Sequence, residues 1–138
     1  MSGHIFLKER WYGFDDALYT GARLLEFLSK QSDMNAVLHA LPDAINTPEL
    51  QIKLKEGENY ALVDLLQREA RFDNPERIIT TDGLRVEYHD GFGLIRSSNT
   101  TPVLVLRFEA DNPDALQRIK LDFHRVLKQF KPDISLPF

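Results

Sequence analysis

Arg96-Ser97-Ser98-Asn99-Thr100-Thr101-Pro102 lies between two apolar, β-prone runs, Phe92-Gly93-Leu94-Ile95 and Val103-Leu104-Val105-Leu106. Such runs, parted by a polar stretch that stops at a proline, predict neighbouring strands joined by a loop. The loop is chemically dense: one guanidinium, four hydroxyls and one amide occupy residues 96–101. A guanidinium offers a rigid fork to two oxygens, and Ser and Thr hydroxyls rotate to meet others. That set suits a compact, multiply charged oxyanion, and we read the loop as a phosphate cradle. A plainer reading stands beside it, because Asn, Ser and Thr are ordinary turn formers that bond nearby backbone. The loop is not of the Walker type, having no glycine and no Gly-Lys-Ser/Thr. Asn99-Thr100-Thr101 matches the glycosylation sequon, but nothing in the chain points to secretion.

On the amino-terminal side of this hairpin, Asp82-Gly83 separates Ile78-Ile79-Thr80-Thr81 from Leu84-Arg85-Val86-Glu87-Tyr88, a strong signal for a second hairpin. On the other side, Asp111-Asn112-Pro113 joins a capping residue to proline at a first helical turn. The helix that follows carries Leu116, Ile119, Phe123, Leu127 and Phe130 as its apolar stripe and stops at Pro132. Alternation over residues 49–55 places Leu50, Ile52 and Leu54 on one face of a half-buried strand. After Gly57 another helix is expected, with Tyr60, Ala61, Val63, Leu66 and Ala70 as its stripe. Strand, helix, three or more strands and helix predict an α+β fold, one antiparallel sheet with both helices on one face.

The first 43 residues read differently. Residues 4–12 predict a strand that ends in a turn at Gly13. Asp15-Asp16 then opens a helical run through Ala17, Leu18, Ala22, Leu25, Phe27 and Leu28. Paired carboxylates invite a metal reading, but capping and dipole chemistry explain them at a helix start. Polar composition over residues 31–35 and the Pro42 and Pro48 punctuation place a hinge here, dividing residues 1–43 from 44–138.

With 138 residues there is room for one modest domain and an appendage. The net charge is −4, with basic residues scattered rather than clustered, which argues against nucleic acid as the main partner. No run is long enough for a membrane span and no signal-peptide pattern is visible, so a cytoplasmic location is expected. The absence of cysteine excludes disulfides, thiol catalysis and Cys-based zinc sites.

Gly91-Phe92-Gly93-Leu94-Ile95-Arg96-Ser97-Ser98-Asn99-Thr100-Thr101-Pro102, continuing through Leu106-Arg107-Phe108-Glu109-Ala110, closely resembles the last domain of the α-D-phosphohexomutases, in their bacterial phosphomannomutase/phosphoglucomutase branch. Asp82-Gly83-Leu84-Arg85-Val86 looks like the same family. So does the amino end, where Met1-Ser2-Gly3-His4 resembles the end of the family's sugar-recognition pattern Gly-Glu-Met-Ser-Gly-His, followed by Lys8-Glu9-Arg10-Trp11 and Gly13-Phe14-Asp15-Asp16. The pattern's Gly and Glu are not in the chain.

The resemblance implies a four-stranded antiparallel sheet against two helices over residues 44–138, preceded by a strand-helix remnant of the family's third domain over residues 1–43. It implies phosphate contacts from Arg96, Ser98, Asn99 and Thr100, and sugar contacts from Ser2 and His4, with His4 an active-site donor or proton carrier. Ser97 stands where relatives often carry a small apolar residue and receives no role. The implied substrates are the 1- and 6-phosphates of mannose or glucose. The family's phosphoserine and its Mg2+-binding aspartates belong to domains outside this chain, so no catalytic or metal residue is expected here and the chain alone is expected to be inactive. A competing class is a stand-alone, non-catalytic α+β binding or assembly module, in which the Arg96 loop is only a turn. Apolar surface over residues 5–28 would favour self-association under either reading.

Overall fold

An acidic residue ahead of an amphipathic run starts the first helix. The computed structural model describes residues 3–41 and 43–138 and divides into two units, Met1–Asp43 and Ala44–Phe138. In the smaller unit, Asp16 caps α1 (Ala17–Ser29) by accepting the Tyr19 backbone N–H at 2.9 Å. Asp33 caps α2 (Met34–His39) in the same way through Ala36. Neither helix buries a residue, and Leu18, Leu24, Leu25 and Phe27 of α1 are exposed. The expected strand over residues 4–12 is reduced to one bridge, Phe6 with Asp15. The reason is local: Arg10 has φ 57°, and a non-glycine residue in the left-handed region turns the chain out of an extended path. Trp11 then stacks on Tyr19, ring centres 4.3 Å apart.

The larger unit contains β1 (Ile45–Asn46), β2 (Leu50–Lys53), α3 (Glu58–Glu69), β3 (Arg77–Ile79), β4 (Leu84–Tyr88), β5 (Gly91–Ser97), β6 (Val103–Ala110) and α4 (Pro113–Phe130). All pairings are antiparallel, in the order β1-β6-β5-β4-β3, with β2 also on β6. Six strands therefore replace the expected four. β1 and β2 occupy successive stretches of one edge, Ile45 opposite Ala110 and Leu50 opposite Leu106. The break falls at Pro48, which has no N–H to give a ladder. Thr47 keeps the chain in place there, its N–H donating to the Phe108 carbonyl at 2.9 Å. β3 is a three-residue edge strand beyond β4.

The period of two along the central strands decides which face is covered. Leu84, Val86 and Tyr88 of β4, Ile95 of β5, and Leu104, Leu106, Phe108 and Ala110 of β6 join one core. Leu62, Val63 and Leu66 of α3 and Ile119, Phe123, Val126 and Leu127 of α4 close it from a single side. Gly93 stands between Val86 and Phe108 in register, and the Phe123 ring fills the space a side chain there would need, 2.3 Å from an ideal Cβ. The α3 stripe is rotated from expectation: Tyr60 and Ala61 are exposed, while Asn59 and Leu62 are buried. α4 opens as expected, Asn112 accepting the Ala115 N–H at 2.9 Å with Pro113 inside the first turn.

Candidate functional site

The β5–β6 connection is a tight, internally bonded turn. Ser98 N–H donates to the Val103 carbonyl at 3.0 Å, closing the hairpin. The Ser98 hydroxyl lies 3.0 Å from that of Thr101 and 3.4 Å from that of Thr100. It also accepts the Thr100 backbone N–H at 3.4 Å. Three hydroxyls thus meet at one point of an exposed turn, and each can rotate its proton toward a shared acceptor.

Arg96 is placed by the pleat. It follows Ile95, which faces the core, and pairs with Val105, so its side chain leaves from the face of the sheet opposite α3 and α4. The other arginines of that face are engaged. Arg77 and Arg85 both pair with Glu87, at 2.7 and 2.9 Å. Those two guanidiniums, Arg85 first, hold the Glu87 carboxyl below the usual carboxylate range. Arg107 reaches the Asn46 amide oxygen at 3.4 Å. Arg96 has no carboxylate partner among the described residues, an arrangement that leaves a half-buried cation beside the hydroxyl turn.

Of the expected phosphate contacts, the structure brings Ser98 and Thr100 together and adds Thr101. It leaves Arg96 and Asn99 outside that hydrogen-bonded trio. Asn99 is exposed and borders a shallow cleft of about 180 Å³ with Tyr60, Asp64, Gln67 and Asp82. Of the expected sugar contacts, Ser2 lies outside the described residues. His4, in the smaller unit, is exposed and its Nδ1 hydrogen-bonds the Asp15 carboxylate. Asp15 and Asp16 are accordingly engaged as a histidine partner and a helix cap. Among the described residues no three His, Asp or Glu side chains gather as metal ligands.

Two features of the site escape a sequence reading. Ser97, given no role, donates from Oγ to the Asn59 carbonyl at 2.9 Å. Asn59 in turn donates from Nδ2 to the Ser98 carbonyl at 3.2 Å, and Tyr60 donates from its hydroxyl to the same oxygen at 3.1 Å. The signal was present: Asn59 is a polar residue at the helical spacing of Leu62, Val63 and Leu66, on an otherwise apolar stripe.

Fold and turn together define an α+β domain that carries a hydroxyl-rich hairpin, with Arg96 at its root, on one end of an antiparallel sheet. Residues 49–126 match the family described as phosphoglucomutase/phosphomannomutase, C-terminal domain. A phosphoglucomutase of Neisseria meningitidis serogroup A is 56% identical over 138 residues, covering 99% of this chain and 30% of the relative. A phosphomannomutase/phosphoglucomutase of Pseudomonas aeruginosa is 51% identical over 139 residues, covering 100% of this chain and 30% of the relative. The crystal structure of a phosphoglucomutase/phosphomannomutase family protein from Burkholderia thailandensis superposes with TM-score 0.89 and 59% identity, over 100% of this chain and 29% of that one. The chain belongs to the phosphoglucomutase/phosphomannomutase family. It spans about 30% of the length of the curated relatives it matches.

Proposed function

We propose that this chain is the phosphate-holding part of a phosphohexomutase, a cytoplasmic enzyme that interconverts hexose 1-phosphate and hexose 6-phosphate. In that reaction a phosphoserine gives its phosphoryl group to a sugar hydroxyl, and the bisphosphate formed returns its other phosphoryl group to the serine after reorienting. The nucleophile and Mg2+, which neutralises phosphoryl charge, belong to parts of the enzyme outside these residues. Among the described residues no set of metal ligands gathers, and the work of this part would be to bind. Arg96 would supply the planar fork and fixed charge, and Ser98, Asn99 and Thr100 the rotatable or amide donors. A clamp of this kind recognises a phosphate whichever carbon bears it, which is what a substrate bound in two orientations requires. Ser2 and His4 would contact the sugar. The observation that carries the reading is a cation with no carboxylate partner among the described residues, at the root of a turn in which three hydroxyls converge.

Titrating the isotope-labelled chain with glucose 1-phosphate should shift the amide signals of Arg96, Ser98, Asn99 and Thr100. Arg96→Ala should abolish the response, because no neighbouring side chain can replace the fork. A response elsewhere, with these amides unmoved, would overturn the assignment. The affinity should be weak, because one loop must offset the whole entropy of association.

The same chain, given glucose 1-phosphate, Mg2+ and a bisphosphate activator, should produce no glucose 6-phosphate in a coupled assay. Appreciable turnover would place the chemistry within these residues and reject the division of labour proposed here. The stand-alone module reading predicts concentration-dependent size without any phosphate response.

A further inference from the structure

We infer that α3 is the positioning element of the phosphate turn, and that Asn59 is its principal positioning residue, an inference that rests on the function proposed above. Neither flank of the turn is held by the hairpin alone. On one flank, Asn59 and Tyr60, in the first turn of α3, both donate to the Ser98 carbonyl, and Ser97 returns a hydrogen bond to the Asn59 carbonyl. On the other, Gln67 donates from Nε2 to the Gly83 carbonyl at 2.6 Å and to the Thr80 carbonyl at 3.3 Å. That bond pins the β3–β4 turn where it presses on Arg96. An ideal Cβ on Gly83 would stand 2.7 Å from Arg96 Cβ and 2.8 Å from Arg96 Cα. Gly83 also has φ 83°, a conformation that side-chain-bearing residues rarely adopt. One helix therefore fixes the backbone on both sides of residues 96–98.

Asn59 is a poor choice if its only work is to stabilise the fold. It is 1% exposed, on the stripe that closes the core. Its Oδ1 is buried with no hydrogen-bond partner among the described residues. A buried acceptor left unsatisfied costs stability, and an apolar residue of the same shape avoids that cost. What Asn supplies, and Leu does not, is the Nδ2 donor that meets the Ser98 carbonyl and so holds the backbone from which the Ser98 hydroxyl projects. Local rules are broken in this manner where a site must be held in place.

The test compares the unaltered 138-residue chain with Asn59→Leu, Tyr60→Phe and Arg96→Ala. Thermal melting, amide-exchange rates of the turn, and glucose 1-phosphate titration are measured for each. Asn59→Leu is expected to keep or raise the melting temperature, to speed exchange of the Ser98 N–H, and to weaken glucose 1-phosphate binding by roughly fivefold or more, the scale of one lost hydrogen bond. Tyr60→Phe, at an exposed position, should give a smaller loss of binding with the melting temperature unchanged. Arg96→Ala should lose binding with Ser98 exchange unaltered. If Asn59→Leu lowers the melting temperature, its role is structural and the inference fails. The inference also fails if exchange and binding both stay as in the unaltered chain. If Arg96→Ala binds normally while Asn59→Leu frees the turn, the positioning stands and the phosphate reading is what falls.

Discussion

At the scale of single residues, the position that decides most is Gly93. It lies in the middle of β5, between Val86 and Phe108, and glycine in a strand interior weakens the strand unless another group needs the space. Here the Phe123 ring takes it, with Cε2 2.3 Å and Cζ 2.5 Å from an ideal Cβ. Phe123 is itself fully buried, packed edge-on to Phe108 at 5.2 Å and against Phe72 at 4.8 Å, so it has nowhere to retreat. Gly93→Ala should therefore destabilise the larger unit by about 1–3 kcal/mol, the cost of overpacking a filled core. Urea denaturation at neutral pH measures this; a loss below about 0.5 kcal/mol would mean that α4 shifts freely over the sheet. The sequence displays Gly93 and Phe123 plainly but not their meeting, because strand register and helix docking are non-local. The same holds at the turn. Its donors could be read directly from residues 96–101, whereas the Asn59 strap joins residues 38 and 39 positions apart.

At the scale of elements, β4 shows how one strand carries two different electrostatic environments. Its odd face holds Arg85 and Glu87, a half-buried pair. Its even face ends at Tyr88, buried in the core cluster, whose hydroxyl donates to Asp122 Oδ2 at 2.7 Å. Asp122 is equally committed, accepting the Asp73 N–H at 2.9 Å and pairing with Arg125. Burial first, and the Asp122 carboxylate second, push the Tyr88 hydroxyl well above the usual tyrosine value. The sign follows from linkage. A group whose folded-state pKa lies above its unfolded value of about 10 contributes stability that is complete below about pH 10. That stability is lost as pH rises further, because the unfolded chain releases the proton first. Stability should thus fall on the alkaline side, and Tyr88→Phe should flatten that limb while costing about 1 kcal/mol near neutrality. Denaturation midpoints across the alkaline range for the two proteins check this; parallel curves would show that Tyr88 does not titrate on unfolding. Elements with strong local signals were legible: β4, β5 and β6 from the β-prone runs around Asp82-Gly83 and the polar turn, α4 from its cap and stripe. The short edges were only partly so. β3 was signalled by the Ile78-Ile79-Thr80-Thr81 run ahead of Asp82-Gly83, though it spans three residues; β1, with two residues, is too short for a period and exists only because β6 offers it a ladder. The rotation of α3 was missed because Tyr60 counts as apolar, although its hydroxyl is engaged at the turn and its ring lies outward.

At the scale of the molecule, the distribution of burial separates the two units more sharply than composition does. Every residue of the core cluster, from Ile52 to Ile134, belongs to the larger unit. In the smaller one, α1 and α2 bury nothing, and Phe6, Tyr12, Phe14, Leu18 and Leu25 are more than half exposed. What that unit offers instead is aromatic contact among Trp11, Tyr12, Phe14 and Tyr19 and ion pairing at the surface. Glu26 gathers Arg10, Arg23 and Lys30, and the lysine and arginine beside it keep its carboxyl below the usual range. Exposed ion pairs contribute little each, and a segment of about 40 residues with so little buried surface rarely folds alone. A chain limited to residues 44–138 should therefore keep the melting temperature of the full 138 residues to within a few degrees, and limited proteolysis of the full chain should cut first before residue 44. The apolar surface of residues 5–28 makes a further demand, since patches of this kind are sites of association. The full chain should grow in apparent mass with concentration in light scattering, and residues 44–138 should not. Leu18→Glu together with Leu25→Glu, both at exposed positions of α1, should abolish the growth while leaving the melting of the larger unit unaltered. If residues 44–138 associate as strongly as the full chain, the sticky surface lies instead on the larger unit, whose sheet carries Arg96 on the face opposite α3 and α4.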